Sequence, residues 1–209
     1  MAQAGRVFQI RLHGRGGQGV VTAADLLALA AYEDGRFAQS FPSFGSERTG
    51  APVVSYCRLD RRQIRTRAPV VEPDALVVLD PTLVHQVDLF SGLSGEGFVL
   101  INTTRTFDQL GLGPIVERFR HDRLLTVPAT ELAQRHTGRA LPNAAILGGF
   151  SALTGEVSIG AVTAAIRDRF EGNPTVAERN AAAAAEAFGY VRSQRGVESV
   201  EVMPGAPSD

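Results

Sequence analysis

One segment of this chain has the residue types and spacing for anion binding: Gly14-Arg15-Gly16-Gly17-Gln18-Gly19. It follows an alternating apolar run from Val7 to His13 and precedes a long apolar run from Val20 to Ala31. Glycine accepts positive φ and leaves room for a close neighbour, so the pattern predicts a strand, a glycine loop and a helix. The first N–H groups of that helix would point into the loop, which makes it a site for an anion such as phosphate.

The same segment matches the dinucleotide pattern G-x-G-x-x-G through Gly14, Gly16 and Gly19. That pattern needs a carboxylate near the end of the second strand to hold a ribose hydroxyl, roughly 20 residues on. The predicted second strand, Arg36 to Phe41, has no carboxylate at its end, and Asp34 lies in the turn before it. Three interpretations stay open: an anion loop, an NAD(P) loop, or glycines that only allow close packing.

A second segment, Ser40 to Pro52, is rich in serine, glycine and proline but contains Phe41, Phe44 and the pair Glu47-Arg48. Exposed aromatic rings on a bare loop are unfavourable, so we expect this loop to lie against another surface. Arg48 could clamp a carboxylate or phosphate, or pair with Glu47 to hold the loop or an interface.

Other polar candidates favour structural roles. His13 lies beside the glycine loop and is either a ligand contact or a polar-face histidine, and Asp80 is expected to cap the segment after Pro81 rather than act as an acid or base. No Ser-His-Asp or Cys-His arrangement and no His-x-x-x-His or Cys-x-x-Cys pair is present. The chain has no lysine, which excludes Schiff-base chemistry and a P-loop lysine.

Composition limits the function further. The single cysteine, Cys57, excludes an internal disulfide, a Cys-ligated zinc site and an iron–sulfur cluster held by this chain alone, and it is expected to be buried. A formal net charge of −1 gives no electrostatic case for nucleic-acid or membrane binding. We find no signal peptide and no apolar run of membrane-spanning length, so a cytoplasmic location is expected.

The elements that position these residues predict an α/β fold. In the first strand Phe8, Ile10 and Leu12 share one face; the opposite face is polar and should meet water or another polar surface. Continuous apolar runs predict buried parallel strands, and Val53–Leu59 with Gln63–Thr66 predicts a β-hairpin. The parallel strands are Ala75–Leu79, Phe98–Ile101 and Leu124–Val127.

The predicted fold class is therefore a Rossmann-like, open, mostly parallel sheet with helices on both faces and an antiparallel hairpin insertion. The glycine loop, Asp80 and Asn102 should meet at the carboxyl edge of the sheet. Residues 1–195 are predicted to be one domain, and residues 196–209 a tail that could order on a partner. Three helices are predicted in the last part of the chain. The first spans Ala144–Leu153, with Asn143 as its N-terminal cap and Gly155 at its end; the second spans Ile159–Phe170 and is capped by Ser158. The third begins at a capping box, Thr175–Glu178, and extends to about Tyr190.

Taken together, these motifs resemble the gamma subunit, or gamma domain, of 2-oxoacid:ferredoxin oxidoreductases, the pyruvate synthase group. The resemblance extends from about Arg6 to Tyr190. Its most specific part is the glycine loop combined with the run Glu47-Arg48-Thr49-Gly50-Ala51-Pro52 at this spacing. Further matches are Arg58-Leu59-Asp60, Ile64 with Arg67, Pro73-Asp74, Asp80-Pro81-Thr82-Leu83, Asn143, Leu147-Gly148-Gly149, Asn180, Ala183 and Gly189.

The resemblance implies oxidative decarboxylation of a 2-oxoacid, pyruvate by default, to its acyl-CoA and CO2, with electrons passed to ferredoxin. It implies that thiamine diphosphate, Mg²⁺ and 4Fe–4S clusters belong to alpha, beta and delta-type partner subunits, with coenzyme A used in the complex. This chain would hold no cofactor alone and contribute no catalytic residue. The implied cofactor-facing residues are Gly14, Arg15, Gly16, Gly17, Gln18, Gly19, Ser43, Phe44, Gly45, Glu47, Arg48, Thr49 and Gly50.

Alternatives remain at this point. The oxoacid could be 2-oxoglutarate, a branched-chain acid, phenylglyoxylate or indolepyruvate, and a flavoprotein subunit could pass electrons to NAD. A stand-alone NAD(P)-binding oxidoreductase and a nucleotide- or CoA-binding module without catalysis are the other classes. The glycine loop could meet a phosphate of coenzyme A, thiamine diphosphate, or only the backbone of a partner subunit.

Overall fold

The computed structural model of this chain describes residues 6–43 and 50–201, with side chains up to Arg195. Six strands form one sheet in the order β2-β3-β1-β4-β5-β6. The strands are β1 Phe8–Arg15, β2 Phe37–Pro42, β3 Pro52–Asp60, β4 Ala75–Val78, β5 Phe98–Asn102 and β6 Leu124–Val127. The helices are α1 Val20–Glu33, α2 Gly113–Val116, α3 Ala129–Thr137, α4 Ala145–Thr154, α5 Ile159–Arg169 and α6 Pro174–Glu201, with 3-10 turns at Pro81–His85 and His121–Arg123.

The sheet is mostly parallel, as predicted. Strand β1 pairs in parallel with β4, β4 with β5, and β5 with β6. Strand β3 is antiparallel to both β1 and β2, so β1 and β2 run in the same direction with β3 inserted between them. The α/β fold class with an antiparallel insertion is confirmed.

The predicted partner of the hairpin was wrong. Val53–Leu59 was expected to pair with Gln63–Thr66, but β3 pairs with β2 instead, and residues 63–66 are irregular. Both edges of β3 are occupied by β2 and β1, so no edge remains for a third strand.

The two faces of the sheet are covered differently. Helices α1, α3, α4, α5 and α6 pack one face over a large apolar core, whereas short helical turns and loops cover the other. The alternation in β1 has the predicted consequence: Ile10 and Leu12 enter the helical core, and the polar face packs on polar backbone. There, Arg11 Nη2 donates to the carbonyl oxygens of Leu89 and Ser91 at 2.6 and 2.7 Å.

Helix α4 lies at the centre of the helical layer, and almost all of its residues are buried. Its closest neighbour is α6. A Cβ added to Gly148 would lie 1.8 Å from the carbonyl oxygen of Ala184 in α6. The two helix backbones can approach this closely only because position 148 carries no side chain.

The predicted helix boundaries are partly correct. Ser158 caps α5 by accepting a hydrogen bond from Ala161 N, and Gly155 ends α4 with φ of 68°. The predicted cap at Asn143 was wrong, because its Oδ1 accepts from the adjacent Ala144 N. The predicted Thr175–Glu178 capping box was also wrong, and helix α6 extends well beyond Tyr190.

Helix α6 begins two residues earlier than the capping box predicted, at Pro174 rather than Val176. Asn173 Oδ1 accepts from Val176 N, and Glu178 pairs instead with Arg167 of α5 at 2.6 Å. A proline in the first helical position needs no hydrogen-bond partner for its nitrogen, which explains the earlier start.

Cys57 is fully buried in the helical core, and this burial raises the pKa of its thiol well above the ordinary value. Across the residues the structure describes, we find no helix with the length and apolar character needed to cross a membrane.

Candidate functional site

The glycine loop connects the end of β1 to the start of α1 at the carboxyl edge of the sheet, as predicted. Gly17 and Gly19 have φ values of 97° and 74°, a region that residues with a side chain rarely adopt. Gly19 is the N-cap of α1, so no side chain caps the first turn of this helix. The first-turn N–H groups and the positive end of the helix dipole are therefore directed at the space above the loop.

The glycines of the loop have different local constraints. A Cβ at Gly14 would lie 2.6 Å from Val20 Cγ2, and one at Gly19 would lie 2.7 Å from Asn143 Nδ2. These two glycines are required for close packing. Among the described residues, a Cβ at Gly17 would meet nothing within 4 Å, so the constraint seen at this position is its backbone angle.

Side chains within the loop hold its shape. Gln18 Oε1 accepts from Arg15 N at 2.8 Å, and Gln18 Nε2 donates to Asp80 Oδ2 at 2.7 Å. Arg15 donates to Gly50 O, to Thr82 Oγ1 and to Gln86 Oε1, and its Nε lies 3.3 Å from Asp80 Oδ2. The structure thus places Arg15 and Gln18 in the loop but uses their side chains to brace it.

Asp80 anchors this network and caps the following 3-10 turn, as predicted. Its Oδ1 accepts from Thr82 N at 2.9 Å and from Thr82 Oγ1 at 2.6 Å. Burial alone raises the pKa of Asp80, but the hydrogen bonds from Thr82 and Gln18, with the charge of Arg15, outweigh it and hold the pKa below the usual range. Asp80 is therefore a structural carboxylate that stays ionised.

Asn102 also lies at this edge, at the end of β5, as predicted. Its Nδ2 donates to Leu79 O at 2.8 Å, and its Oδ1 accepts from Thr130 N. These bonds tie the ends of β4 and β5 to the start of α3, so Asn102 is also structural.

The second predicted segment leaves and re-enters the sheet beside the glycine loop. Gly16 N donates to Ala51 O at 2.9 Å, and Gly50 N donates to Gly16 O at 3.2 Å. Ser43 follows β2 and donates its N–H to Val54 O, while Gly50 has φ of 84°. The predicted residues Phe44, Gly45, Glu47, Arg48 and Thr49 lie outside the described residues.

A cleft of about 440 Å³ opens above the glycine loop. Its walls are mostly backbone and apolar side chains, with Asn143 entering from the turn before α4. Arg15 is the one charged side chain among the described residues that line it, and its guanidinium donates to Gly50, Thr82 and Gln86, which surround the loop. The described walls offer backbone N–H groups, which can bind an anion.

Asn143 is the cleft residue that the motif analysis placed incorrectly. A Pro-Asn pair before an apolar run resembles a helix start, so the local signal predicted a cap. Only the packing of the turn before α4 against Gly19 brings this side chain to the glycine loop.

The topology argues against a dinucleotide. In the dinucleotide fold the strand beside β1 is parallel to it and ends in the ribose-binding carboxylate. Here the neighbour of β1 on that side is the antiparallel β3. Asp34 lies after the end of α1, at the opposite edge, where its carboxylate accepts from Ser158 N and Oγ at 2.6 and 2.8 Å.

His13 lies beside the loop in sequence but does not line the cleft. It is buried on the polar face of β1, and its Nε2 has no hydrogen-bond partner among the residues that the structure describes. Burial, and secondarily the charge of Arg11, lower the pKa of His13 to about 4. The imidazole is therefore neutral in the folded protein at physiological pH.

We expect His13 to make the protein acid-sensitive. With a pKa of about 4 in the folded state and 6.5 in the unfolded state, His13 binds more protons when unfolded between these values. The free energy of unfolding should then fall as pH falls through this window, by at most about 1.4 kcal/mol per unit. Urea unfolding at pH 7, 6 and 5 should give a shallower pH dependence for His13→Met. The exposed control His121→Gln should keep the wild-type slope, and an unchanged slope in His13→Met would contradict the assignment.

No group of three or more histidine, cysteine or acidic side chains that could hold a metal occurs within residues 6–43 and 50–195.

Comparison with known proteins decides the family. A family model described as pyruvate ferredoxin/flavodoxin oxidoreductase matches residues 9–190, almost the whole chain. The chain belongs to this family. The resemblance to its gamma subunits is confirmed by the relatives and the solved structure described next.

The pyruvate/ketoisovalerate oxidoreductases common subunit gamma of Pyrococcus abyssi is 44% identical over 184 residues, covering 87% of this chain and 96% of the relative. Pyruvate synthase subunit PorC of Methanothermobacter marburgensis is 44% identical over 182 residues, with coverages of 87% and 96%. The crystal structure of pyruvate oxidoreductase subunit PORC from Thermotoga maritima is 32% identical with a TM-score of 0.74, covering 88% of this chain and 96% of that one. The sequence matches and the structural match therefore both extend over nearly the full length of these relatives.

Proposed function

We propose that this chain is the gamma subunit of a multisubunit 2-oxoacid:ferredoxin oxidoreductase. The complex converts a 2-oxoacid, pyruvate by default, with coenzyme A to the acyl-CoA and CO2, and ferredoxin takes the two electrons. The identity of 44% to gamma and PorC subunits over 87% of the chain supports this assignment.

The chain's own residues support a binding role within such a complex. Its described residues place no acid–base pair in the cleft and provide no metal-ligand group. We assign thiamine diphosphate, Mg²⁺ and the 4Fe–4S clusters to alpha, beta and delta-type subunits. The isolated chain is expected to lack oxidoreductase activity.

The glycine-loop cleft is assigned to a phosphate group of coenzyme A, whose thiol accepts the acyl group in this reaction. The observation that carries this assignment is the uncapped first turn of α1 behind Gly17 and Gly19. Backbone N–H groups at such a helix start bind phosphate without any basic side chain. Arg15 and Gln18 keep the loop in shape, and Gly50 bonds to the loop through Gly16 O and Arg15 Nη1.

Purification of the native complex tests the assignment. Chains with thiamine diphosphate and iron–sulfur clusters should copurify with this chain, and the complex should reduce ferredoxin with pyruvate and coenzyme A. Parallel assays with 2-oxoglutarate and branched-chain 2-oxoacids, and with NAD as acceptor, identify the substrate and acceptor. An active, coloured single-chain protein would overturn the assignment.

Calorimetry separates coenzyme A from the dinucleotide alternative. The complex should bind coenzyme A more tightly than pantetheine, which lacks the nucleotide phosphates. The isolated chain should not bind NADH or NADPH. Binding of either dinucleotide, together with equal affinity for pantetheine and coenzyme A, would favour a stand-alone NAD(P)-dependent oxidoreductase instead.

A further inference from the structure

The segment from Arg61 to Arg67 carries four guanidinium groups in seven residues and no carboxylate. The four residues are Arg61, Arg62, Arg65 and Arg67, and all four are exposed. None of them forms an ion pair with a carboxylate of the described chain. Exposed arginines elsewhere do form such pairs, for example Arg120 with Asp122 and Arg167 with Glu178.

The segment is irregular, but it is anchored at both ends. At its start, Arg62 N donates to Asp60 Oδ1 at 3.1 Å, directly after β3. At its end, Arg58 Nη2 donates to Ala68 O at 2.5 Å, and Val70 is buried. Because the ends are fixed to the sheet, the four charges are held together over one part of the surface.

This concentration of charge has an energetic consequence. The net charge of the whole chain is −1, so positive charge gathered here is balanced by acidic residues elsewhere. Four like charges within seven residues repel one another, and none of the four guanidinium groups is paired with a described carboxylate; Asp60, at the start of the segment, bonds to the backbone N–H of Arg62. A surface bearing carboxylates would remove the repulsion on contact.

An exposed aromatic ring lies next to these charges. Phe37 is 50% exposed. In the β2–β3 pair it lies opposite Asp60, the residue that immediately precedes Arg61. On the other side of the segment, Val71 is 71% exposed. Aromatic residues and arginine are the types enriched at protein interfaces, where they supply most of the binding energy.

We propose that Phe37, Arg61, Arg62, Arg65 and Arg67 form a docking surface, the basic surface, for a carboxylate-rich face of a companion subunit. This inference rests on the proposed function, since it names where that complex contacts this chain. The basic surface lies at the amino edge of the sheet, and β3 separates it from the glycine-loop cleft by about 26 Å. The two surfaces can therefore be changed independently.

A matched pair of variants tests the proposal in the reconstituted complex. The test variant replaces Arg61, Arg62, Arg65 and Arg67 with glutamine. The control variant makes the same change in net charge at four exposed arginines on other elements, Arg105, Arg139, Arg169 and Arg179. Circular dichroism and thermal unfolding of both isolated variants establish that they fold.

The readout is the affinity of this chain for the companion subunits at 50 and 300 mM salt. The test variant should bind about tenfold or more weakly at low salt and lose most of the salt dependence, because the basic surface supplies the attraction. The control should stay within about twofold of wild type, and Phe37→Ala should weaken binding at both salt concentrations.

The outcomes separate this proposal from the proposed function. If wild-type protein assembles but the test variant binds equally well, the basic surface is not the docking surface and the proposed function stands. If wild-type protein finds no thiamine-dependent companion, both fail. Binding of poly(U) or anionic lipid vesicles that depends on the four arginines, with unchanged subunit assembly, would also overturn the proposal.

Discussion

Replacement of Gly148 with alanine is expected to destabilise the protein by at least about 3 kcal/mol. The added Cβ would lie 1.8 Å from Ala184 O and 2.6 Å from Ala184 C, which are backbone atoms of α6. A flexible side chain could rotate away from such a clash, but a helix backbone cannot. Helices α4 and α6 would have to separate, and this would open the core between α4 and the sheet.

The matched control is Gly189→Ala, also in the helical layer. Position 189 is exposed in the middle of α6, and a Cβ there meets no atom of the described chain within 4 Å. Alanine should therefore stabilise the protein by about 0.5–1 kcal/mol through helix propensity. Chemical denaturation of both variants at pH 7 measures the two effects. A loss of less than about 1 kcal/mol in Gly148→Ala would show that the contact between α4 and α6 is easily relaxed.

Gly17→Val is expected to abolish the binding of coenzyme A by the complex and to destabilise the chain by about 1–3 kcal/mol. The φ of 97° at position 17 is strained for any residue with a side chain, most of all for a β-branched one. Relief of that strain would rotate the peptide and move its N–H away from the cleft.

Gly138→Val separates strain from binding. Gly138 ends α3 with φ of 75°, and a Cβ there would also meet no described neighbour within 4 Å, so the conformational cost should be similar. It does not line the cleft, so coenzyme A binding should survive. Calorimetry with coenzyme A and thermal unfolding compare the variants. Equal loss of binding in both would mean that lowered stability, rather than the loop geometry, explains the effect.

The sequence was sufficient to predict the parts of the fold with local causes. The glycine loop, α1 and the buried parallel strands each follow from composition and periodicity within a short window. The placement of the loop, Asp80 and Asn102 at one edge of the sheet followed from one topological rule, because parallel strands end at the same edge. Gly155 and Ser158 were also predicted correctly, since a helix end depends on only a few neighbouring residues.

The parts that sequence missed depend on distant contacts. Alternation identified Val53–Leu59 as a strand but could not indicate which edge it would join, because pairing depends on residues far away in the chain. The same reason explains Asn143, whose place in the cleft is set by packing against Gly19 across more than a hundred residues. The structural roles of Arg15 and Gln18 could not be predicted from sequence. A side chain that is available to a ligand and one that is hydrogen-bonded within the protein look the same in a sequence.

The inserted strand β3 also has a consequence for folding during synthesis. Phe8 in β1 is paired with Leu59, about fifty residues later in the chain. Strand β1 therefore cannot form its hydrogen bonds to β3 until β3 has left the ribosome. Such non-local closure slows folding relative to a chain whose neighbouring strands are consecutive. We expect the β2–β3 hairpin, whose strands are close in sequence, to form before β1 docks on it.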